Sequence, residues 1–208
     1  MKRKLEILVL ESPWSDKLDD EKSVRLFTKG WADLNNISLS YRMYHDTHDL
    51  SRWLEKYTRH PEITICYIAG HGQGGRLAGL IKGINLKNVS RSTARKGPGG
   101  NYKKGILFGA CDVGKKLEDF IDQCGSRIRW VAGYDKETPW LEGTISDLLF
   151  IEYMTRGRIR RQRDGEFLKD KDGDFLSRGS RNKAEVVVKW VIKDYPLAEK
   201  CGLRAIDR

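Results

Sequence analysis

A chain of 208 residues with 39% hydrophobic and 33% charged side chains is long enough to bury the core of one domain and too apolar for a disordered protein. Its formal net charge of +10 favours polyanions as partners. No stretch approaches the roughly 20 apolar residues of a membrane span, and the short apolar run after the basic start contains Glu6, so a cytoplasmic protein without a signal peptide is expected.

In chain order, KLEILVLE (4–11) reads as a strand buried on both faces. Asp19 or Asp20 would cap a helix over DEKSVRLFTKGWADLN, with Val24, Phe27, Trp31 and Leu34 as its apolar stripe. ISLSYRMYH (37–45) alternates as a half-buried strand. THDLSRWLEKYTRH follows as a helix burying Leu50, Trp53, Leu54 and Tyr57, and Pro61 ends it. ITICYIAG (63–70) is a continuous β-branched run, expected at the centre of a sheet. KNVSRSTARKGPGGNYKKG (87–105) reads as a basic, Gly-rich loop, and GILFGACDVG (105–114) begins as a further apolar strand.

GKKLEDFIDQCG (114–125) predicts a helix with Leu117, Phe120 and Ile121 on one face and Gly125 as its stop. IRWVAGY (128–134) predicts a strand and WLEGTISDLLFIEYM (140–154) an apolar helix. DGEFLKDKDGDFLSRG forms two short runs around a turn, and KAEVVVKWVIKDYPLAEKCG predicts a last helix, although Val186, Val187 and Val188 also suit a strand. Strands alternating with helices imply an α/β three-layer sandwich, a mainly parallel sheet with helices on both faces. The organisation expected is one domain over 1–208, with a core of about 1–155 and a basic extension, 156–208, packing on it.

The four cysteines, Cys66, Cys111, Cys124 and Cys201, are widely spaced, and no metal-ligand spacing of Cys or His occurs. DKDGD (170–174) resembles the opening of a calcium loop, but Arg181 stands where a bidentate Glu is required. GHGQGG (70–75) fits G-x-G-x-x-G after a strand, yet no acid follows at the ribose-binding distance, so a dinucleotide site is rejected. No acidic residue lies between Glu62 and Asp112, while Arg76, Lys82, Lys87, Arg91, Arg95, Lys96, Lys103 and Lys104 fall in that window. A second basic run is RGRIRRQR (156–163).

There remain a His-Gly at the end of one strand and an Ala-Cys at the end of the next. Ligands bind beyond the carboxyl ends of parallel strands, so His71 and Cys111 would face one another at that edge. A thiol attacks carbonyl carbon readily as thiolate, and an imidazole can protonate the departing amine. Gly72 and Cys111 would offer N–H groups to the developing oxyanion.

YIAGHG (67–72) and ILFGAC (106–111) resemble the signature of the caspase-like cysteine peptidases, the clan of caspases, metacaspases and separases. GRLAGLIKGINLKNVS (75–90) is similar to the hairpin and helix start after the clan's histidine, and RWVAGYDKETPWLEGTISDLLF (129–150) to its next strand, pocket loop and helix. The resemblance is greatest to short stand-alone bacterial members. It implies that Cys111 is the nucleophile, His71 the general acid, and Gly72 with Cys111 the oxyanion hole, with no third triad residue and no cofactor for catalysis. It implies a protein substrate cut after Arg or Lys, read by Asp135 or Glu137, although Pro139 rather than an acid precedes Trp140. A role in antiphage defence or cell death is implied too, with possible activation by a small anionic nucleotide from a TIR-domain partner. Two alternatives stay open: a catalytically silent member that binds a ligand or partner, and a nucleic-acid-binding protein, for which no aromatic RNA motif or helix-turn-helix pattern is present.

Overall fold

The computed structural model describes residues 6–15, 22–79, 82–94, 104–155 and 183–208. Five parallel strands and one antiparallel strand form the main sheet: β1 (Glu6–Glu11), β2 (Ser38–Met43), β3 (Ile63–Ala69), β7 (Lys104–Gly109), β8 (Ile128–Tyr134) and β9 (Leu203–Asp207). They lie in the order β2-β1-β3-β7-β8-β9, and only the β8–β9 pair is antiparallel. Three two-residue strands, β4 (Gly72–Gln73), β5 (Arg76–Leu77) and β6 (Ile84–Asn85), make a small antiparallel sheet between β3 and β7 in the chain.

Side chains alternate across the main sheet and build one core on each face. Leu8 and Leu10 of β1, Cys66 and Ile68 of β3, and Ile106 and Phe108 of β7 meet α2 (Thr47–Arg59), α3 (Leu86–Thr93) and α4 (Leu117–Gln123). Ile7 and Val9, Ile65 and Tyr67, and Trp130 and Ala132 face α1 (Arg25–Leu34), α5 (Trp140–Thr155) and α6 (Ala184–Asp194). A sheet covered on both sides explains why these strands read as continuous apolar runs. The α/β sandwich with a mainly parallel sheet is therefore the fold.

Several elements differ from expectation. Helix α1 starts at Arg25 with Val24 as its cap position, where Glu11 takes the Val24 N–H at 2.8 Å; Asp19 and Asp20, expected to cap it, lie outside the described residues. It buries the small residues Thr28 and Ala32, while Leu34 is 89% exposed. The stretch expected as a loop from residue 87 is helical through Thr93, capped by the Asn85 carboxamide. The last helix breaks before Pro196 into α6 and α7 (Leu197–Lys200), and LRAID then adds β9 beside β8. Residues 183–208 thus complete the sheet itself. Residues 95–103, the DKDGD turn and the RGRIRRQR run lie outside the described residues.

Lys104 is not part of a basic surface. It is 2% exposed, its ammonium donates to His60 O at 2.6 Å and to Ile63 O, and it sits over the Tyr57 ring. Burial first, then the neighbouring Arg127, pulls its pKa down to about 8. Toward the opposite end of β7, Phe108 meets Phe120 edge to face at 5.1 Å and is fully buried. Phe108→Ala should cost about 3–5 kcal/mol of unfolding free energy, read by urea denaturation.

Candidate active site

The register places the site. Glu11 pairs with Ala69 and Ala69 with Gly109, so the segments leaving β1, β3 and β7 emerge side by side at the carboxyl edge. Trp14, His71 and Cys111 lie in those three segments, and the turn Asp135–Pro139 leaves β8 at the same edge. His71, Cys111, Trp14, Thr138, Trp140 and Asp147 line one cleft of about 240 Å³.

The His71 ring is exposed, and its Nε2 lies 2.5 Å from the carbonyl oxygen of Trp14. A carbonyl can only accept, so Nε2 carries the hydrogen and Nδ1 is the accepting nitrogen of the neutral ring. The Trp14 indole stands edge-on to the imidazole at 5.3 Å and to Trp140 at 6.2 Å. Glu11 anchors Trp14: its buried carboxylate accepts Trp14 Nε1–H at 2.6 Å and Val24 N–H at 2.8 Å on one oxygen. The other oxygen accepts Ser23 Oγ–H at 2.7 Å and Tyr41 O–H at 2.6 Å. Four donors saturate the carboxylate, and the segment that orients His71 is fixed through it.

Cys111 is half-buried, and its sulfur accepts the Thr138 N–H at 3.2 Å. Gly72 packs directly on the Cys111 main chain: a Cβ there would stand 2.0 Å from Cys111 O and 2.9 Å from Cys111 N. Only glycine fits. Gly74 and Gly75, at φ +58° and +75°, close the β4–β5 hairpin as a two-residue turn of the type that needs both angles positive. In that ladder Ala78 N–H bonds His71 O at 2.8 Å, while Gly72 faces Leu77 in a non-hydrogen-bonded pair, so its N–H is directed away from the hairpin partner. Asp112 adopts a left-handed conformation at φ +62° and accepts Gly74 N–H at 3.3 Å and the Lys115 ammonium at 2.7 Å. The Lys115 bond, then the Gly74 N–H, holds the Asp112 carboxyl below the usual range. Asp112 thereby ties the Gly72 hairpin to the Cys111 turn.

The two acids expected to read substrate are placed differently. Glu137 is exposed on the cleft's rim. Asp135 lines neither this cleft nor the adjoining one, and its Oδ1 packs where a Gly202 side chain would be. Asp147 of α5, an acid not singled out from the sequence, lies in the cleft wall: Tyr67 O–H donates to one carboxylate oxygen and Tyr134 O–H contacts the other, both at 2.7 Å. Burial, against the lowering effect of these bonds, pushes its pKa up to about 7. Trp14, whose backbone carbonyl meets His71, and Glu11 were not singled out from the sequence either. Their one signal was an acid ending an apolar strand just before S-P-W. The adjoining cleft, about 620 Å³, is lined by Arg76 and Lys82 together with His71, Gly72 and Cys111.

No protein-family model matches the chain, and no curated protein matches it. Among solved structures it is similar to pro-sf-caspase-1, at 11% identity and a TM-score of 0.47, over 76% of each chain.

Two measurements test this geometry. Burial raises the thiol pKa of Cys66, of Cys124 to about 11, and of Cys201, whereas Cys111 opens on the cleft. Brief iodoacetamide treatment of the native protein, followed by peptide mapping, should modify Cys111 first and leave the other three until denaturant is added. Glu11→Gln offers one accepting oxygen where two are used and turns an NH₂ toward two donors; it should lower stability by about 2–4 kcal/mol in urea titrations.

Proposed function

We propose that the protein is a caspase-like cysteine endopeptidase in which Cys111 and His71 act on peptide bonds of protein substrates. The observation that carries the reading is the convergence in one cleft of a half-buried thiol and an imidazole whose Nε2 is held by the Trp14 carbonyl. That bond supports Nδ1 as the nitrogen that exchanges protons with the thiol and the leaving group.

In the reaction, Nδ1 of His71 takes the proton of the Cys111 thiol, and the thiolate adds to the scissile carbonyl carbon. The N–H groups of Gly72 and Cys111 take the oxyanion of the tetrahedral intermediate. His71 gives its Nδ1 proton to the amine as the C–N bond breaks, leaving a thioester on Cys111. Water, deprotonated by His71, then adds to the thioester, the C–S bond breaks, and thiol and imidazole return to their starting forms. The segment that presents Gly72 cannot drift from Cys111, because Asp112 holds the hairpin turn.

Cleavage after Arg or Lys is part of the proposal, as is a regulated role in antiphage defence or cell death. Activation by a small anionic nucleotide of the kind a TIR-domain partner makes is part of the proposal too; Arg76 and Lys82 of the adjoining cleft support it, beside the acids Asp112 and Glu137 that also line that cleft. No helix among the described residues is long and apolar enough to cross a membrane.

The test is digestion of a mixed peptide library, with and without candidate nucleotides, and mass spectrometry of the products. Wild type should cut, and Cys111→Ala and His71→Ala should each lower kcat/KM by at least about 1,000-fold with the melting temperature unchanged. A wild type that cuts nothing under either condition overturns the reading. Equal cutting with and without nucleotide removes the activator from it.

A further inference from the structure

We infer that Asp147 is the carboxyl group that reads a basic side chain before the scissile bond, from the inner wall of the Cys111 cleft. The inference rests on the endopeptidase reading and names the specificity residue of the same site.

Position comes first. Asp147 projects from α5 into the cleft that Cys111 and His71 line, yet it is only 2% exposed. It reaches the cleft past Gly109, two residues before Cys111: a Cβ on Gly109 would stand 2.6 Å from the Asp147 carboxylate and 2.6 Å from the Tyr67 ring. Ala110 is a bend and Cys111 begins a turn, so these two residues span at most about 7 Å. That is within the reach of an extended Arg or Lys side chain whose carbonyl carbon sits at the Cys111 sulfur.

The charge state fits the same role. Among the described residues no Lys or Arg pairs with Asp147; its partners are the hydroxyls of Tyr67 on β3 and Tyr134 on β8, the strands flanking β7. Tyr134 has one proton and two acceptors, Asp147 Oδ1 at 2.7 Å and Gly143 O at 3.0 Å. A protonated Asp147 resolves this: its O–H donates to Tyr134, and Tyr134 donates to Gly143. The burial that raises this carboxyl toward neutrality acts in the same direction. The other titratable groups around it are the Cys201 thiol, which interacts with it and with Glu142, and His71, Cys111, Glu137 and Lys22, which line the same cleft. Below about pH 7 the carboxyl is therefore held neutral, and an entering guanidinium or ammonium sends its proton to solvent and takes its place as counter-ion. A buried acid poised this way in a cleft is costly to keep for packing alone and is suited to a cationic ligand.

Asp147→Asn keeps the size of the side chain and one accepting oxygen while removing the charge. Peptides matched except for Arg or citrulline before the scissile bond separate charge recognition from shape. Wild type should prefer Arg over citrulline on the order of 100-fold in kcat/KM, and Asp147→Asn should abolish that preference. Tyr67→Phe, which removes one hydrogen bond to Asp147 and leaves its carboxyl, should retain the preference; this variant also decides the matter if Asp147→Asn fails to fold. Loss of the preference in Tyr67→Phe, an Arg preference that survives Asp147→Asn, or cleavage after non-basic residues overturns the inference. Calorimetric binding of the Arg and citrulline peptides to Cys111→Ala, with and without Asp147→Asn, needs no catalysis and tests Asp147 even if wild type cuts nothing. Tighter binding of Arg only where Asp147 is present, with proton release near pH 6.5, supports it, and equal binding refutes it.

Discussion

The carboxylate of Glu11 ends β1 inside the protein, and its four hydrogen bonds decide where the chain goes next. A carboxylate removed from water is tolerated only when its oxygens are satisfied, so the donors at Trp14, Ser23, Val24 and Tyr41 must converge on it. Convergence sets two things together. It fixes the start of α1 at Val24, and it holds Trp14 where its carbonyl meets the His71 imidazole. The orientation of the exposed ring is thus inherited from a buried charge at the end of a different strand.

Around this anchor, the parallel sheet does the gathering. Every parallel strand ends at one edge, so residues far apart in the chain need only follow their strands by one or two positions to meet. The cost is that the connecting segments carry the site and must be held without a ladder of their own. Each is held by a local device: Asp112 bonds the Gly72 hairpin, Thr138 bonds the Cys111 sulfur and Cys201, and Glu11 holds Trp14. These clamps are short-range and directional, and they hold the segments that line the cleft.

Much of the fold was legible because its strands are covered on both faces and its helices carry a one-sided apolar pattern. ITICYIA and GILFG could hardly be anything but central strands, and THDLSRWLEKYTR buries Leu50, Leu54 and Tyr57 as its spacing implies. Helix α1 misled because Phe27 and Leu34 point outward while Thr28 and Ala32 face the sheet, where small side chains allow close approach. Strand β9 carried no strong pattern, since LRAID becomes a strand only by pairing with β8. Edge strands of that length are defined by their partner more than by their composition.

The amino-acid sequence by itself determined the alternation of strands and helices and the arrival of His71, Gly72 and Cys111 at strand ends, because periodicity and chain direction are local properties that survive without knowledge of neighbours. Tertiary structure alone decided which groups surround them. The Trp14 carbonyl is a backbone atom that every residue possesses, so no residue type announces it. Asp147 sits in an apolar helix where its letter suggests an exposed charge, and only the packing of α5 over Gly109, between Tyr67 and Tyr134, turns it into a buried acid in the cleft. Asp135, two residues from Glu137, is carried instead against Gly202 by the turn that follows β8. The chemistry of a carboxyl group depends on its dielectric and its partners, and both are set by chain segments distant in sequence.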